Sequence, residues 1–184
     1  MRDLPFDSRL EAVVHSILLV EDDPQTAAEV KLYLERQGFN VVVAKDGGQA
    51  QSSFVMRKPD FVILDVILPG ESGFEVCERL KVTDPRVPVM LLTAIDMEDS
   101  RALARRIGAD VYVTKPFNPG TFVDTILEAA ETVWRKYREE ATTKELPVRF
   151  ACPCGKRFKV NPTHRGKALT CPSCGESVLV PRHA

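Results

Sequence analysis

The sequence predicts an α/β protein with a doubly wound, five-stranded parallel sheet and a separate small module at its C-terminus. Phe61–Leu64 is an apolar run without polar alternation, which is typical of a strand buried on both faces by covering helices. Similar runs alternate with helical patterns along the chain, as a parallel sheet requires. Four of the five cysteines fall within the last 33 residues, which indicates that this end is organised differently.

Five strands and five helices are expected in alternation. The strands are predicted at residues 17–20, 41–44, 61–64, 89–92 and 111–114. The helices are predicted at about residues 24–37, 48–57, 74–83, 96–107 and from 118 onward. Residues 1–16 form an extension that is either a short helix or a frayed tail. Residues 136–147 are either a helical extension of the last helix or a semi-rigid linker.

Polar residues stand at the carboxyl ends of four predicted strands. They are Glu21 and Asp22 after the first strand, Asp65 after the third, Thr93 at the end of the fourth and Lys115 after the fifth. In parallel sheets these ends share one edge, where binding sites lie. Mg²⁺ binds one or two protein carboxylates together with phosphate and water, and a lysine ammonium suits a phosphate group. The pattern therefore predicts a phosphoryl site with Asp65, the most central carboxylate, as the acceptor.

Four fragments follow one another along the chain at characteristic distances. They are Leu19-Val20-Glu21-Asp22-Asp23, Leu64-Asp65-Val66-Ile67-Leu68-Pro69-Gly70, Thr93-Ala94 and Lys115-Pro116-Phe117. In this order the chain resembles the receiver domain of bacterial two-component response regulators, over roughly residues 16–135. Glu21 stands where many members carry aspartate, which lengthens one carboxylate by a methylene group and leaves the metal site plausible.

The resemblance implies roles for individual residues. Asp65 would be the phosphorylation site, Lys115 would pair with the phosphoryl group, and the Lys115–Pro116 bond would be cis. The magnesium ligands would be Glu21, Asp22, Asp65 and the backbone carbonyl of Ile67, with Asp22 binding the metal directly. Thr93 would signal phosphorylation and Tyr112 would be the switch aromatic. The phosphodonor would be a histidine kinase or a phosphotransfer protein, and a phosphorylation-dependent homodimer is a further expectation.

A protein of this kind is a phosphoacceptor switch with weak self-catalysed phosphorylation and dephosphorylation, not a turnover enzyme. One alternative is a constitutive scaffold or nucleic-acid-binding module that uses the receiver fold for dimerisation. It ranks lower because the acidic, hydroxyl and lysine positions are all present. Another alternative, a magnesium phosphatase of similar topology, needs a general acid two residues after Asp65, and that residue is Ile67.

Two motifs near the C-terminus echo each other, Cys152-Pro153-Cys154-Gly155 and Cys171-Pro172-Ser173-Cys174-Gly175. A segment this short cannot bury enough apolar surface to fold unaided, and four thiolates supply a tetrahedral zinc site. The segment resembles zinc ribbons, in which two hairpins clamp one Zn²⁺, although its C-x-C pair is one residue shorter than the usual spacing. His164 in place of one cysteine and a redox switch are minor alternatives. The fifth cysteine, Cys77, is expected in the core.

Charge is divided unevenly along the chain. The 184 residues carry a net charge of -1, but residues 148–184 hold seven basic side chains and one acid, which leaves the first 147 residues at -7. The basic module is expected to dock on a downstream protein or on nucleic acid. The expected domains are the extension 1–16, the receiver 17–135, the segment 136–147 and the zinc-ribbon-like module 148–184. No apolar run is long enough to span a bilayer, and a cytoplasmic location is expected.

Overall fold

The computed structural model describes residues 14–143 and 147–182. The chain divides into two compact units, residues 1–136 and 137–184. Most of the predicted N-terminal extension lies outside the described residues. The three predicted domain boundaries stay predictions. Within the described ranges, no helix combines the length and the apolar composition needed to cross a membrane.

Strands and helices alternate throughout the first unit. In chain order they are β1 Ser16–Val20, α1 Pro24–Arg36, β2 Asn40–Ala44, α2 Gly47–Arg57, β3 Phe61–Leu64, α3 Gly73–Thr83, β4 Val89–Thr93, α4 Glu98–Arg106, β5 Val111–Thr114 and α5 Pro119–Thr143. Helix α5 passes the boundary between the two units. Side-chain caps start three helices: Asp23 caps α1, Asp46 caps α2, and Ser72 and Glu75 form a capping box on α3.

The five strands form one parallel sheet in the order β2-β1-β3-β4-β5. The order reverses between β1 and β3, so the chain winds first to one side of the sheet and then to the other. Every residue of β3 and β4 is buried, as expected for strands covered on both faces. The doubly wound α/β fold predicted from the sequence is confirmed.

Separate apolar clusters cover the two faces of the sheet. Helices α1 and α5 cover one face through Val30, Leu34, Phe122, Ile126, Ala129 and Ala130. Helices α2, α3 and α4 cover the other through Ala50, Phe54, Val76, Cys77, Leu80 and Ala104. Cys77 has no exposed surface, and burial raises the pKa of its thiol to about 12, so it acts as a small core residue.

The second unit contains two antiparallel hairpins. The first pairs β6 Val148–Ala151 with β7 Arg157–Val160, and the second pairs β8 Ala168–Thr170 with β9 Ser177–Leu179. A short 3₁₀ turn, Pro162–His164, lies between them in sequence. One cysteine pair lies in the turn of each hairpin, which makes the unit compatible with a small zinc ribbon.

Candidate functional site

Backbone pairing fixes the ends of the strands at the carboxyl edge of the sheet. Glu21 and Asp65 follow the adjacent parallel strands β1 and β3 directly. The amide of Asp65 donates to the carbonyl of Val20 at 2.9 Å, so the pairing runs one residue past the strands. The amide of Lys115 donates to the carbonyl of Thr93 at 2.8 Å in the same way. The sheet itself therefore brings these side chains to one edge.

The ammonium of Lys115 bridges two buried carboxylates. Its Nζ lies 2.6 Å from Glu21 Oε2 and 2.6 Å from Asp65 Oδ2. Glu21 is 3% exposed and Asp65 is 8% exposed. The other oxygen of Asp65, Oδ1, accepts a hydrogen bond from the Ile67 amide at 3.0 Å. The peptide bond between Lys115 and Pro116 is cis.

At this bridge, burial and charge pairing shift the pKa values of Glu21 and Lys115 in opposite directions. Burial raises the pKa of the Glu21 carboxyl, and the hydrogen bond from Lys115 offsets only part of that rise. Burial by itself would lower the pKa of Lys115, but hydrogen bonds to Asp65 and Glu21 outweigh it and the pKa is raised. The lysine is therefore held in its charged form.

The three consecutive acids after β1 have different positions. Asp23 is the cap of α1, since its Oδ1 accepts from the amide of Thr26 at 2.7 Å. Hydrogen bonds from the Thr26 side chain and from this amide lower the pKa of Asp23. Asp22 is exposed beside the bridge. Glu21, Asp22 and Asp65 thus offer carboxylate oxygens of the kind that Mg²⁺ prefers, and this donor set fits the predicted magnesium site.

The turn after β3 packs against the backbone of Asp65. A Cβ atom added to Gly73 would lie 2.0 Å from the carbonyl oxygen of Asp65, so no other residue fits there without movement of the backbone. The amide of Gly73 also donates to the carbonyl of Val66 at 2.8 Å. Ile67, whose carbonyl is a predicted metal ligand, belongs to the same turn, and its side chain is 59% exposed. The sequence did not reveal this contact, because the close approach depends on tertiary packing.

Thr93 and Tyr112 both contact the backbone of Ile95. Thr93 is fully buried, and its Oγ1 accepts from the amide of Ile95 at 3.3 Å. The hydroxyl of Tyr112 donates to the carbonyl of Ile95 at 2.7 Å. The guanidinium of Arg101 lies 4.9 Å from the centre of the Tyr112 ring and forms an ion pair with Asp96 at 2.7 Å. Sequence reasoning missed Arg101, since no local motif indicates that it reaches a strand.

The four C-terminal cysteines converge on one point. Their Sγ atoms all lie within 4.8 Å of one another, with Cys152 and Cys174 at 3.6 Å and Cys154 and Cys171 at 3.7 Å. All four are free thiols. Four sulfurs at the usual Zn–S distance of ~2.3 Å in a tetrahedron stand about 3.8 Å apart. The spacing and the all-sulfur donor set therefore fit Zn²⁺.

Tight turns hold the cysteine pairs in this arrangement. Gly155 and Gly175 have φ of +90° and +77°, a conformation that glycine adopts without strain. Burial would raise the pKa of the Cys171 thiol, but hydrogen bonds from the amides of Ser173 and Cys174 bring it down to about 7. His164 is not in the cluster, and its Nδ1 lies 3.2 Å from the carbonyl of Asn161.

Residues 17–127 match the family model described as the response regulator receiver domain. Over 103 residues the chain is 41% identical to the alkaline phosphatase synthesis transcriptional regulatory protein PhoP of Bacillus subtilis. That alignment covers 56% of this chain and 43% of the relative. The chain spans about half the length of the curated relatives it matches.

Solved structures of receiver domains are also similar to this chain. The BeF3-activated N-terminal receiver domain of Klebsiella pneumoniae RstA is 31% identical, with a TM-score of 0.60, and the match covers 63% of this chain and 98% of that one. A CheY-like receiver domain from Methanospirillum hungatei has a TM-score of 0.63 at 24% identity, covering 67% of this chain and 99% of the other, and supports the fold.

Proposed function

Because this chain belongs to the response regulator receiver family, we propose that it is a phosphorylation-controlled switch with Asp65 as its phosphoacceptor. Receiver domains of this family are regulatory switches that bind Mg²⁺ at the phosphorylation site. The observation that carries the assignment is the position of Lys115 Nζ, 2.6 Å from Asp65 Oδ2 and 2.6 Å from Glu21 Oε2. A fixed ammonium beside a buried carboxylate is placed to neutralise charge on a transferring phosphoryl group.

Phosphoryl transfer at this site needs positioning and charge neutralisation more than acid–base chemistry. An oxygen of Asp65 attacks the phosphorus of a phosphohistidine or a small phosphodonor. The new O–P bond forms as the N–P bond of phosphohistidine breaks, and the leaving imidazole nitrogen keeps the electron pair and takes up a proton. Lys115 holds a phosphoryl oxygen, and the Ile67 amide orients the carboxylate. Glu21, Asp22, Asp65 and the Ile67 carbonyl would hold Mg²⁺, which would supply the remaining positive charge.

The signal passes from Asp65 to the surface through Ile95. A phosphoryl group brings about -1.5 to -2 charges and three strong acceptor oxygens. Thr93 turns to donate to one of them and gives up its contact with the Ile95 amide. The Ile95 backbone also accepts a hydrogen bond from the Tyr112 hydroxyl. Movement of this backbone therefore frees Tyr112 to move toward the space that Thr93 has left. The surface of α4, β5 and α5 then changes.

The phosphodonor is a histidine kinase or a phosphotransfer protein, as expected for response regulators of this type. The output is the zinc-bound C-terminal module, acting on a downstream protein or nucleic acid, and the phosphorylated protein forms a homodimer. We place this exchange in the cytoplasm, where clustered thiols stay reduced and available to metal.

The decisive test of the acceptor is Asp65→Asn, a nearly isosteric change. With acetyl phosphate and Mg²⁺, the parent protein should gain a base-labile phosphoryl adduct detected by intact-mass spectrometry, and the variant should gain none. Asp99→Asn removes an exposed carboxylate and should behave as the parent. A base-labile adduct that persists on Asp65→Asn would show that the acceptor lies elsewhere.

A further inference from the structure

The first hairpin of the C-terminal module has a surface that the zinc site does not explain. Phe150 and Phe158 face each other across β6 and β7, with ring centres 5.0 Å apart and planes inclined by only 12°. Both rings are only partly buried. They line a depression of about 490 Å³ together with Arg149, Ala151, Arg157 and Lys159. These six residues are called the basic–aromatic patch below.

The cations of the patch form no ion pair within the described part of the chain. Arg149, Arg157 and Lys159 are exposed, and in the part of the chain that the structure describes no carboxylate forms an ion pair with any of them. The register places Arg149 opposite Lys159 and Arg157 opposite Ala151. Three unpaired cations thus lie within one hairpin of eight strand residues. Because residues 148–184 carry one acid against seven basic side chains, the charge of the module favours a polyanion.

The aromatic rings narrow the choice of polyanion. An acidic peptide would form ion pairs with the cations but would leave the two partly exposed phenyl rings without a role. A nucleic acid duplex keeps its bases stacked inside and offers the patch mainly phosphates. A single strand offers both phosphates and free base faces, and grooves that combine cations with stacking aromatic rings bind single strands with little sequence preference.

We infer that the basic–aromatic patch binds single-stranded nucleic acid. Arg149, Arg157 and Lys159 contact the phosphates, and the Phe150–Phe158 pair receives a base at its edge. The inference rests on the proposed role of the C-terminal module as the output of the switch. It concerns binding by the module and does not require Asp65 to be phosphorylated.

Binding is measured with the zinc-loaded full chain and a fluorescently labelled oligothymidylate of about fifteen nucleotides. Fluorescence anisotropy at several salt concentrations should give an affinity that falls as salt rises, with a log–log slope near -2 for three released counterions on a single strand. Neutralising the patch with Arg149→Gln, Arg157→Gln and Lys159→Gln together should reduce the slope to near zero and weaken binding at least tenfold.

Two matched variants separate the patch from general charge. Arg36→Gln, Lys45→Gln and Arg57→Gln remove three exposed cations from the first unit and should leave the affinity within twofold of the parent. Replacing Arg149 and Arg157 by lysine keeps the charge and should retain the salt slope. Zinc content and thiol accessibility, measured for every variant, establish that the module is intact.

Base stacking is tested with Phe158→Leu, which keeps an apolar side chain without a ring. Its affinity for oligothymidylate should fall at least about fivefold, while its affinity for an abasic oligonucleotide of equal length should not change. If the role of Phe158 were purely structural, Phe158→Leu would weaken the binding of both oligonucleotides equally. Phe158→Tyr keeps an aromatic ring and should restore tighter binding of oligothymidylate than of the abasic oligonucleotide.

Three results would overturn the inference: no binding of oligothymidylate by the zinc-loaded parent, equal binding of a duplex of the same length, or equal competition by polyglutamate. Because Asp65→Asn should bind the oligonucleotide as the parent does, the proposed function is tested separately. Absence of oligonucleotide binding together with normal phosphorylation of Asp65 would reject this inference alone.

Discussion

At the scale of single residues, the positive charge of Lys115 balances the negative charge of two carboxylates. It is shared between Glu21 and Asp65, which follow neighbouring strands. Without it, two buried carboxylates would face each other in a region of low dielectric, where unpaired charge is costly. The residue that we propose for phosphoryl transfer therefore also stabilises the unphosphorylated fold.

We expect Lys115→Met to lower the free energy of unfolding by about 1–3 kcal/mol near neutral pH in magnesium-free buffer. The pKa of Lys115 is raised in the folded state, so its stabilisation is complete below its unfolded-state pKa and is lost only as pH rises through the folded-state value. The pKa of Glu21 is also raised, so acidification protonates Glu21 early and relieves its repulsion with Asp65. The deficit of the variant should therefore shrink as the pH falls toward about 5.

Urea unfolding at several pH values measures this deficit. Lys31→Met removes an exposed lysine that pairs with Glu35 at 3.6 Å and should change stability by less than about 0.5 kcal/mol at every pH. A deficit for Lys115→Met that stays constant across the pH range would contradict the electrostatic explanation.

We expect the phosphorylated state to be long-lived because two isoleucines flank the path of the attacking water. Ile67 and Ile95 lie two residues beyond Asp65 and Thr93, and neither side chain can hydrogen-bond a water in line with the phosphorus. Ile67→Asn combined with Ile95→Glu should speed dephosphorylation severalfold, with little change in magnesium affinity, since each 1.36 kcal/mol of barrier is worth about tenfold. The decay is followed after removal of the phosphodonor. The matched double valine variant should decay as the parent does, and equal decay of the polar variant and the parent would refute the idea.

At the scale of elements, the start of α3 is packed against the backbone of Asp65. The helix begins at Gly73 with a capping box from Ser72 and Glu75, and the missing side chain of Gly73 lets the turn approach the Asp65 carbonyl. The helix start, the loop and the end of β3 thus form one tightly packed turn, which holds the Asp65 carboxylate in the fixed position that the proposed phosphoryl transfer requires.

Gly73→Ala should therefore damage the site although alanine favours helices. The added methyl group meets backbone atoms of Asp65 and Val66, so the turn must move. We expect a loss of about 1–3 kcal/mol in stability and at least tenfold slower phosphorylation by acetyl phosphate. Gly48→Ala, in α2, meets only the Asp46 side chain at 3.3 Å and should leave both measurements near those of the parent. Parent-like phosphorylation of Gly73→Ala would argue against this role of the tightly packed turn.

At the scale of the whole molecule, the two units depend on different stabilising forces. The first unit has two apolar clusters around a buried sheet. The second has few fully buried side chains among its described residues, and two of these are the cysteines Cys152 and Cys171. A unit of this size needs a metal or a covalent link to fold.

Zinc removal should therefore unfold the second unit and leave the first one folded. Structural zinc in small domains contributes about 10–16 kcal/mol of apparent binding energy, so chelation or Cys174→Ser should abolish hydrogen-exchange protection in residues 147–182. The cooperative thermal transition of the first unit should persist. Ser173→Ala, one residue away, should keep one zinc per chain. Absence of metal in protein purified under reducing conditions would contradict the zinc assignment.

Features that depend on local pattern could be predicted from the amino-acid sequence. Apolar runs such as Phe61–Leu64 predicted the buried parallel strands, because a strand covered on both faces has no polar alternation. The position of Asp65 after such a run predicted the edge of the sheet at which it lies. The spacing of Cys152, Cys154, Cys171 and Cys174 predicted a four-sulfur cluster, because paired cysteines in tight turns place their sulfurs on one side.

Contacts between groups that are distant in the sequence could not be predicted in this way, because they depend on tertiary packing. Lys115 and Glu21 are 94 residues apart in sequence and 2.6 Å apart in space, and the sheet order that unites them depends on packing across both faces. The same holds for Arg101 over Tyr112 and for Phe150 against Phe158. Local periodicity specifies each element because its cause is the geometry of neighbouring residues, whereas contacts between elements result from how whole faces fill space together.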